Sequence, residues 1–166
     1  MLYEKAFLLI RDKRNYRGVI QLDPDKVLVT RFFQDQPVIL VVTCNGHLTE
    51  SVMGYSLNVA GRLNHRLLVA YVNTMPFLWE GGFRSRRFAL AVKDNFSIMQ
   101  ERSQKRGIIV NHIKESGNIG RVVSRLCRIV KKIEFIIVDD GVSVEKVVSR
   151  ACVPVFNVDK LVKAKP

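Results

Sequence analysis

Two adjacent carboxylates, Asp139 and Asp140, are the residues of this chain whose types most directly suggest chemistry. They follow an apolar run at residues 135–138 and precede Gly141, so we expect them at the carboxyl end of a strand. Two such carboxylates could in principle bind a divalent cation. At a strand end they are more often a solvated turn, and we predict a solvated turn here with no metal site.

The histidines and cysteines form no recognisable catalytic or metal-binding pattern. The three histidines are too scattered for a metal site, and we expect them at the surface. The cysteines are odd in number and lack a C-x-x-C spacing, which argues against a disulfide framework and a zinc site. No Ser/His/Asp or Cys/His order resembles a catalytic motif, so we predict that the protein is not an enzyme. The residues in question are His47, His65, His112, Cys44, Cys127 and Cys152.

A basic cluster, Arg84, Arg86 and Arg87, stands beside Phe83 and Phe88 and could contact phosphates or an RNA base. Its plainer interpretation is the solvated start of a helix. Cations in a first helical turn oppose the helix dipole, so we expect an anion or a partner to compensate them. With 27 basic and 15 acidic residues the net charge is +12, which favours nucleic acid, an anionic surface or an acidic partner.

The composition is that of one globular domain. The chain has 166 residues, 48% of them hydrophobic, and no apolar run reaches the length of about 20 residues that spans a bilayer. We therefore expect a soluble protein without a secretion signal, and the unpaired cysteines favour a reducing cytoplasm.

From Val38 onward, apolar runs of strand length alternate with amphipathic segments of helix length, which is typical of a parallel sheet covered by helices. Strands are predicted at residues 38–43, 67–72, 135–138 and 153–158, with another beginning at Ile108. Helices are predicted from Thr49 or Ser51 to about residue 64, at 85–106, from Ser116 or Asn118, and at 143–150. In the first helix the inner stripe is expected at Val52, Tyr55, Val59 and Leu63. The fold class is therefore α/β, a five-stranded parallel sheet with helices on both faces, Rossmann-like or flavodoxin-like.

The two ends of the chain stand outside this alternation. Residues 18–33 contain two short apolar runs around a turn at 23–26, which predicts a β-hairpin. We therefore divide the chain into an N-terminal extension at 1–37, an α/β domain at 38–160 and a basic C-terminal tail at 161–166.

Two segments resemble the universal stress protein family, and the likeness runs over residues 38–158. YSLNVAGRL at 55–63, followed by LLVAYV at 67–72, is similar to the family's YALELAKRL and its following strand. The more specific match is GVSVEKVVSRACVPV at 141–155, which aligns without a gap to GSVSEKVVRHAPCPV.

The resemblance implies a nucleotide site, because many members bind ATP through an Asp after strand one and a glycine loop, G-x2-G-x9-G-[ST], after strand four. Here the Asp is missing, and Asp139 and Asp140 stand where the first glycine should be. Two carboxylates there would repel a triphosphate unless a cation lay between them. A vestigial site is all that remains: Cys44, Asn45, Gly46, Val72, Asp139, Gly141 and Ser143. Ordinary turns and an N-cap at Ser143 explain the same residues, and we favour this interpretation over nucleotide binding.

The family also pairs its last strand across a twofold axis, which implies a homodimer. The interface residues would be Val153, Pro154, Val155, Phe156 and Val158. We therefore expect a stress-response or regulatory domain that acts by dimerisation and partner contact, without a required cofactor and with little or no ATP hydrolysis. The alternatives are an ATP or AMP sensor and a protein that binds nucleic acid or an anionic surface.

Overall fold

The computed structural model describes residues 36–75 and 83–158, with residues 83–85 described by their backbone. The predicted hairpin at 18–33, most of the N-terminal extension, the loop residues 76–82 and the tail at 161–166 lie outside these ranges. Within the described ranges, no helix is both long enough and apolar enough to cross a membrane.

Five parallel strands form a single sheet in the order β3-β2-β1-β4-β5, which confirms the predicted architecture. Strand β1 lies at the centre, and its residues 38–42 are at most 1% exposed. A central parallel strand is buried on both faces, which explains why its sequence is continuously apolar instead of alternating. The strands are β1 Val38–Cys44, β2 Arg66–Asn73, β3 Val110–Ser116, β4 Ile133–Val138 and β5 Val155–Asn157.

In residues 36–75 and 83–158, four helices cover the sheet, two on each face. The helices are α1 Glu50–Leu63, α2 Phe83–Gln104, α3 Ile119–Ile129 and α4 Val144–Val148. Helices α1 and α2 pack with Ile39 and Val41 in one apolar cluster, which we call the α1/α2 face. Helices α3 and α4 pack with Leu40 and Val42 in a second cluster, the α3/α4 face. Successive residues of β1 thus point to opposite faces, as the pleat of a strand requires.

Strand β3 begins two residues later than predicted, at Val110, and ends at Ser116. Ile108 was expected to start it, but its N–H donates to Ser103 O at 3.0 Å, in the turn that follows α2. The strand continues through residues 111–116, which are polar except for Ile113, because it lies at the edge of the sheet, where partial exposure tolerates polar side chains.

Helix α1 is rotated relative to the predicted stripe. Val52 is buried as expected, but Leu63 is 49% exposed, and Tyr55 and Val59 are only partly buried. The side chains that α1 buries are Val52, Met53, Ser56, Leu57 and Ala60. Ser56 is accommodated because its hydroxyl donates to Met53 O at 3.1 Å.

Candidate ligand crevice at the ends of strands β1 and β4

The loops that follow β1 and β4 lie side by side, because the two strands are parallel neighbours and end at the same edge of the sheet. We call residues 44–46 and 139–143 the crevice loops. The Cys44 thiol donates to Gly141 O with Sγ 3.5 Å from the oxygen. Val72, at 0% exposure, is the register partner of Cys44 on β2. The structure therefore brings most of the predicted vestigial site together.

Asp139 is buried at 1% exposure, so the prediction of a solvated turn is wrong for this residue. Its carboxylate accepts a hydrogen bond from Thr43 Oγ1 at 2.7 Å, and it also accepts from the hydroxyl of Thr49. The backbone N–H of Thr49 lies 3.2 Å from Oδ2 and 3.3 Å from Oδ1. Asp140 is exposed, as a turn residue should be.

These contacts make Asp139 a link between β4 and the start of α1. Thr49 is the N-cap residue of α1, but its side chain makes no capping bond to the helix backbone. Its hydroxyl is instead directed to Asp139. A buried carboxylate is tolerated when donors satisfy its oxygens, and here three donors from two residues do so. The carboxylate therefore faces protein donors and has little capacity left for a ligand.

Cys44 is half-buried beside this carboxylate. Burial raises the pKa of the Cys44 thiol, and the nearby negative charge of Asp139 raises it further. The thiol is therefore kept protonated at neutral pH, and it does not supply a nucleophile. Asn45 is exposed in a left-handed conformation with φ +64°, which asparagine tolerates well.

Gly46 is required by packing. Its φ is +76°, and a Cβ there would lie 3.0 Å from Ala91 Cβ and 3.2 Å from Phe88 O, both on α2. The backbone of the β1–α1 connection therefore approaches α2 closely, and only glycine meets both the conformation and the space. Gly46 is buried against the protein's own helix and does not face an open site.

The sequence interpretation missed a buried amide, Asn95 on α2, which fixes the same connection. Asn95 Oδ1 accepts from Leu48 N at 3.0 Å and from the Tyr71 hydroxyl at 2.8 Å. Its Nδ2 donates to Leu48 O at 3.2 Å. Burial, followed by the charge of Asp139, raises the pKa of Tyr71 well above its ordinary value. A polar residue between Val92 and Phe96 on the inner stripe of α2 was the available signal.

The connection from β4 to α4 is short. Strand β4 ends at Val138 and α4 begins at Val144, so five residues join them. Gly141 has φ +79°, and Val142 N donates to Asp139 O at 3.2 Å. Ser143 is the N-cap residue of α4, as its position suggested, although its hydroxyl bonds Glu145 Oε2 at 3.1 Å instead of the helix backbone. A connection of this length has no room for the G-x2-G-x9-G loop.

Two of the three histidines depart from the expected surface positions. The His65 side chain is 8% exposed and its Nε2 lies 2.6 Å from Glu134 Oε2. The ring of His112 lies 3.9 Å from that of Phe96. Within residues 36–75 and 83–158, no three His, Cys, Asp or Glu residues are grouped so as to hold a metal ion.

The predicted basic cluster lies in the first turn of α2. Arg86 and Arg87 are exposed there, Arg84 is placed by its backbone, and that turn contains no acidic residue. Helix α3 also carries arginines: Arg125 is partly buried and pairs with Glu115, whereas Arg121 and Arg128 are exposed.

The predicted interface residues lie along the β5 edge. The Phe156 side chain is 40% exposed, and its ring lies 5.4 Å from that of Phe135. Pro154 is exposed, and Val153 and Val155 are partly buried against the α3/α4 face. Val158 is 4% exposed and packs in the α1/α2 face, so it offers little surface to a partner.

Comparison with known proteins gives matches among solved structures alone: no protein-family model and no curated protein matches the chain. A universal stress protein from Archaeoglobus fulgidus has a TM-score of 0.57 and 15% identity over 76% of this chain and 97% of that chain. One from Burkholderia pseudomallei has a TM-score of 0.54 and 18% identity over 74% and 95%. A family protein from Arabidopsis thaliana, solved with AMP bound, has a TM-score of 0.53 and 14% identity over 72% and 90%.

The fold is therefore that of the universal stress proteins, which confirms at the level of the fold the resemblance found in the sequence. These structures match most of their own length, so the likeness covers the whole of their domain. At identities below a fifth, the comparison describes backbone architecture, and function has to be argued from the residues of this chain.

Proposed function

We propose that this chain is a universal stress protein-like regulatory domain that acts by homodimerisation and partner binding, and that it does not hydrolyse ATP. The fold supports the assignment to this class. The crevice loops differ from the nucleotide-binding pattern of the family, and the β5 edge offers a surface for dimerisation.

The observation that carries the proposal is that donors within the protein satisfy the Asp139 carboxylate. The carboxylate is 1% exposed and accepts hydrogen bonds from Thr43 and Thr49. Gly46 packs on α2, and the Cys44 thiol donates a hydrogen bond to Gly141 O. These groups therefore face atoms of the protein itself. A phosphate-binding loop needs backbone N–H groups that converge on open space, and a five-residue connection supplies few.

Phosphate release from ATP, with and without magnesium, tests the absence of hydrolysis. We expect release no faster than in a sample without protein. Turnover above that background, lost when Asp139 is replaced by Asn, would reject this part of the proposal.

The β5 edge supports dimerisation. Among the residues that the structure describes, strand β5 has a hydrogen-bonded neighbour on one side only, β4, and Phe156 is a large apolar residue at 40% exposure. An open edge with an exposed aromatic residue is suited to pairing with a second copy of the chain. The free thiols of all three cysteines agree with a reducing compartment such as the cytoplasm.

Sedimentation velocity of the full chain tests the dimer. We expect a dimer for the wild type and a monomer for Phe156→Glu, because a charge would be buried between two edges. Ile98→Glu is the matched control, since Ile98 is 45% exposed on α2 and should leave the dimer intact. A monomeric wild type, or a dimeric Phe156→Glu variant with an unchanged melting temperature, would reject the β5 interface.

A nucleotide sensor is the second candidate, favoured by the AMP bound to the structurally similar Arabidopsis protein. A ligand that binds the folded state raises the melting temperature by mass action. AMP, or ATP with magnesium, at millimolar concentration should then produce a rise of a few degrees. An unchanged melting temperature with both nucleotides would eliminate this candidate and leave the first in place.

A further inference from the structure

We propose that Cys127 and Cys152 are a thiol pair that closes reversibly to an intrachain disulfide, forming a redox modification site between α3 and the segment that joins α4 to β5. Residues far apart in sequence supply the two thiols. Neither belongs to the crevice loops, and Cys152 directly precedes the predicted interface residue Val153.

The two cysteines meet on the α3/α4 face. Cys127 follows the buried Leu126 on α3, and Cys152 lies between Ala151 and Val153 in the turn before β5. Cys127, Ala151 and Val153 pack against the same apolar cluster. The Cys127 thiol is in hydrogen-bond contact with both the backbone and the thiol of Cys152. Side chains in such contact need little movement to form a sulfur–sulfur bond.

A second close contact holds the same two segments together. A Cβ at Gly120 on α3 would lie 2.6 Å from Lys146 O and 3.1 Å from Arg150 Cγ. Helix α4 therefore lies almost backbone to backbone on α3, and this fixes the chain that leads from α4 to Cys152. This packing holds Arg150, two residues before Cys152, against the first turn of α3.

The unequal exposure of the two thiols assigns their roles. Cys152 is exposed, whereas Cys127 is half-buried. Burial raises the pKa of the Cys127 thiol, which makes it the slower of the two to react with an external oxidant. Cys152 is therefore the thiol that meets the oxidant, and Cys127 resolves the product.

The oxidant we name is a small disulfide such as oxidised glutathione. The Cys152 thiolate attacks one glutathione sulfur, forms a mixed disulfide and releases one reduced glutathione. The Cys127 thiolate then attacks Sγ of Cys152, the mixed disulfide breaks, and the second reduced glutathione leaves. The two cysteines together lose two electrons and two protons, and one oxidised glutathione becomes two reduced molecules.

The test is a titration of the full chain with graded ratios of oxidised to reduced glutathione, followed by alkylation, trypsin digestion and mass spectrometry. We expect peptide 126–128 linked to peptide 151–160, with a mass two hydrogens below the sum of the reduced peptides. Cys44→Ser should retain the link. Cys127→Ser should instead accumulate a persistent glutathione adduct at Cys152, since the resolving thiol is absent.

The melting temperature supplies a second readout. The link closes a loop of about 25 residues, so the oxidised wild type should melt roughly 5–10 °C above the reduced form. Cys127→Ser should show no such difference between oxidising and reducing conditions. Three outcomes would overturn the proposal: a stable glutathione adduct on wild-type Cys152 without the internal link, a link that includes Cys44, or a link found only between two chains.

Discussion

Helices α1 and α2 cover their face of the sheet with polar contacts buried among apolar ones, whereas α3 and α4 cover theirs with apolar side chains. In the part of the chain that the structure describes, the buried polar residues lie on the α1/α2 face or in the neighbouring crevice: Thr43, Ser56, Asn95, Ser103 and Asp139. The α3/α4 face buries Val122, Val123 and Leu126 instead.

This difference shows that the two faces obtain their specificity in different ways. The Asn95 side chain and the Asp139 carboxylate accept hydrogen bonds from particular backbone N–H groups, those of Leu48 and Thr49. These bonds determine where α1 begins and how α2 meets the β1–α1 connection. The α3/α4 face relies on shape, above all on the close approach at Gly120. Buried polar networks are costly when broken, and tightly packed glycines are costly when filled. Each face can therefore be disrupted by a different substitution.

The largest effect is expected from Asp139→Ala. It leaves the N–H and the hydroxyl of Thr49 without their acceptor, whereas the Thr43 hydroxyl can still donate to His47 O. The loss should cost about 2–4 kcal/mol in the free energy of unfolding. Asp140→Ala, at the exposed neighbouring position, should change it by about 0.5 kcal/mol or less. Urea unfolding measures both variants. Equal effects would show that the buried carboxylate does not hold the crevice loops together.

Glycine-to-alanine substitutions compare the two faces directly. Gly120→Ala should destabilise the protein by about 1–3 kcal/mol, because a Cβ would lie 2.6 Å from Lys146 O. A Cβ at Gly54 on α1 would meet nothing within 4 Å, so Gly54→Ala should stabilise the protein by about 0.5–1 kcal/mol through helix propensity. Chemical denaturation measures both changes. The same sign for the two variants would contradict this difference in packing.

Tyr71→Phe should have a smaller effect, about 1 kcal/mol at neutral pH, since Asn95 Oδ1 keeps its bond from Leu48 N. Burial raises the pKa of Tyr71 above the ordinary value of 10.0. Its contribution to stability is therefore fully present below pH 10.0 and is lost as the pH rises further, because the unfolded chain releases the proton first. Denaturation at several pH values should show the wild type losing more stability above pH 10.0 than the variant does. Parallel profiles would disagree with a buried phenol.

The smallest expected effect is on the affinity for an anionic ligand. It distinguishes an anion contact at the start of α2 from one on α3. Replacing Arg86 and Arg87 by Ala should lower the slope of log affinity against log salt by about one per arginine, for a single-stranded RNA oligonucleotide. The matched control replaces Arg121 and Arg128, which are exposed on α3. Fluorescence anisotropy measures the slope. An equal decrease of the slope in both double variants would show that RNA binding depends on overall positive charge and not on the first turn of α2.

The alternation of buried strands and helices was predictable because it depends on local periodicity. The run at 38–42 is continuously apolar, and a strand of that kind must be buried on both faces. The edge strand β3 was harder to recognise, since residues 111–116 are polar except for Ile113 and show no alternation of apolar and polar side chains. Helix α1 carries two overlapping apolar stripes, and the contact with the sheet decided which one is buried.

The crevice was predictable in its residues but not in its chemistry. Sequence order placed Cys44 and Gly141 at the ends of neighbouring parallel strands, where the structure finds them in contact. The burial of Asp139 depends on Thr43 and Thr49, which are 96 and 90 residues away along the chain. A carboxylate in a turn has the same local sequence whether it faces water or a threonine, so no local rule distinguishes the two cases.

Residue types at short spacing were enough to predict the parallel α/β architecture and the basic start of α2, and the resemblance to the universal stress proteins implied the missing phosphate loop. The folded chain was needed to show that Asp139 is satisfied inside the protein, that Gly46 and Gly120 mark close backbone contacts, and that Cys127 meets Cys152. The physical reason is that hydrogen bonding, steric contact and thiol pairing act over a few ångströms. Folding alone brings residues that are distant in sequence within that range.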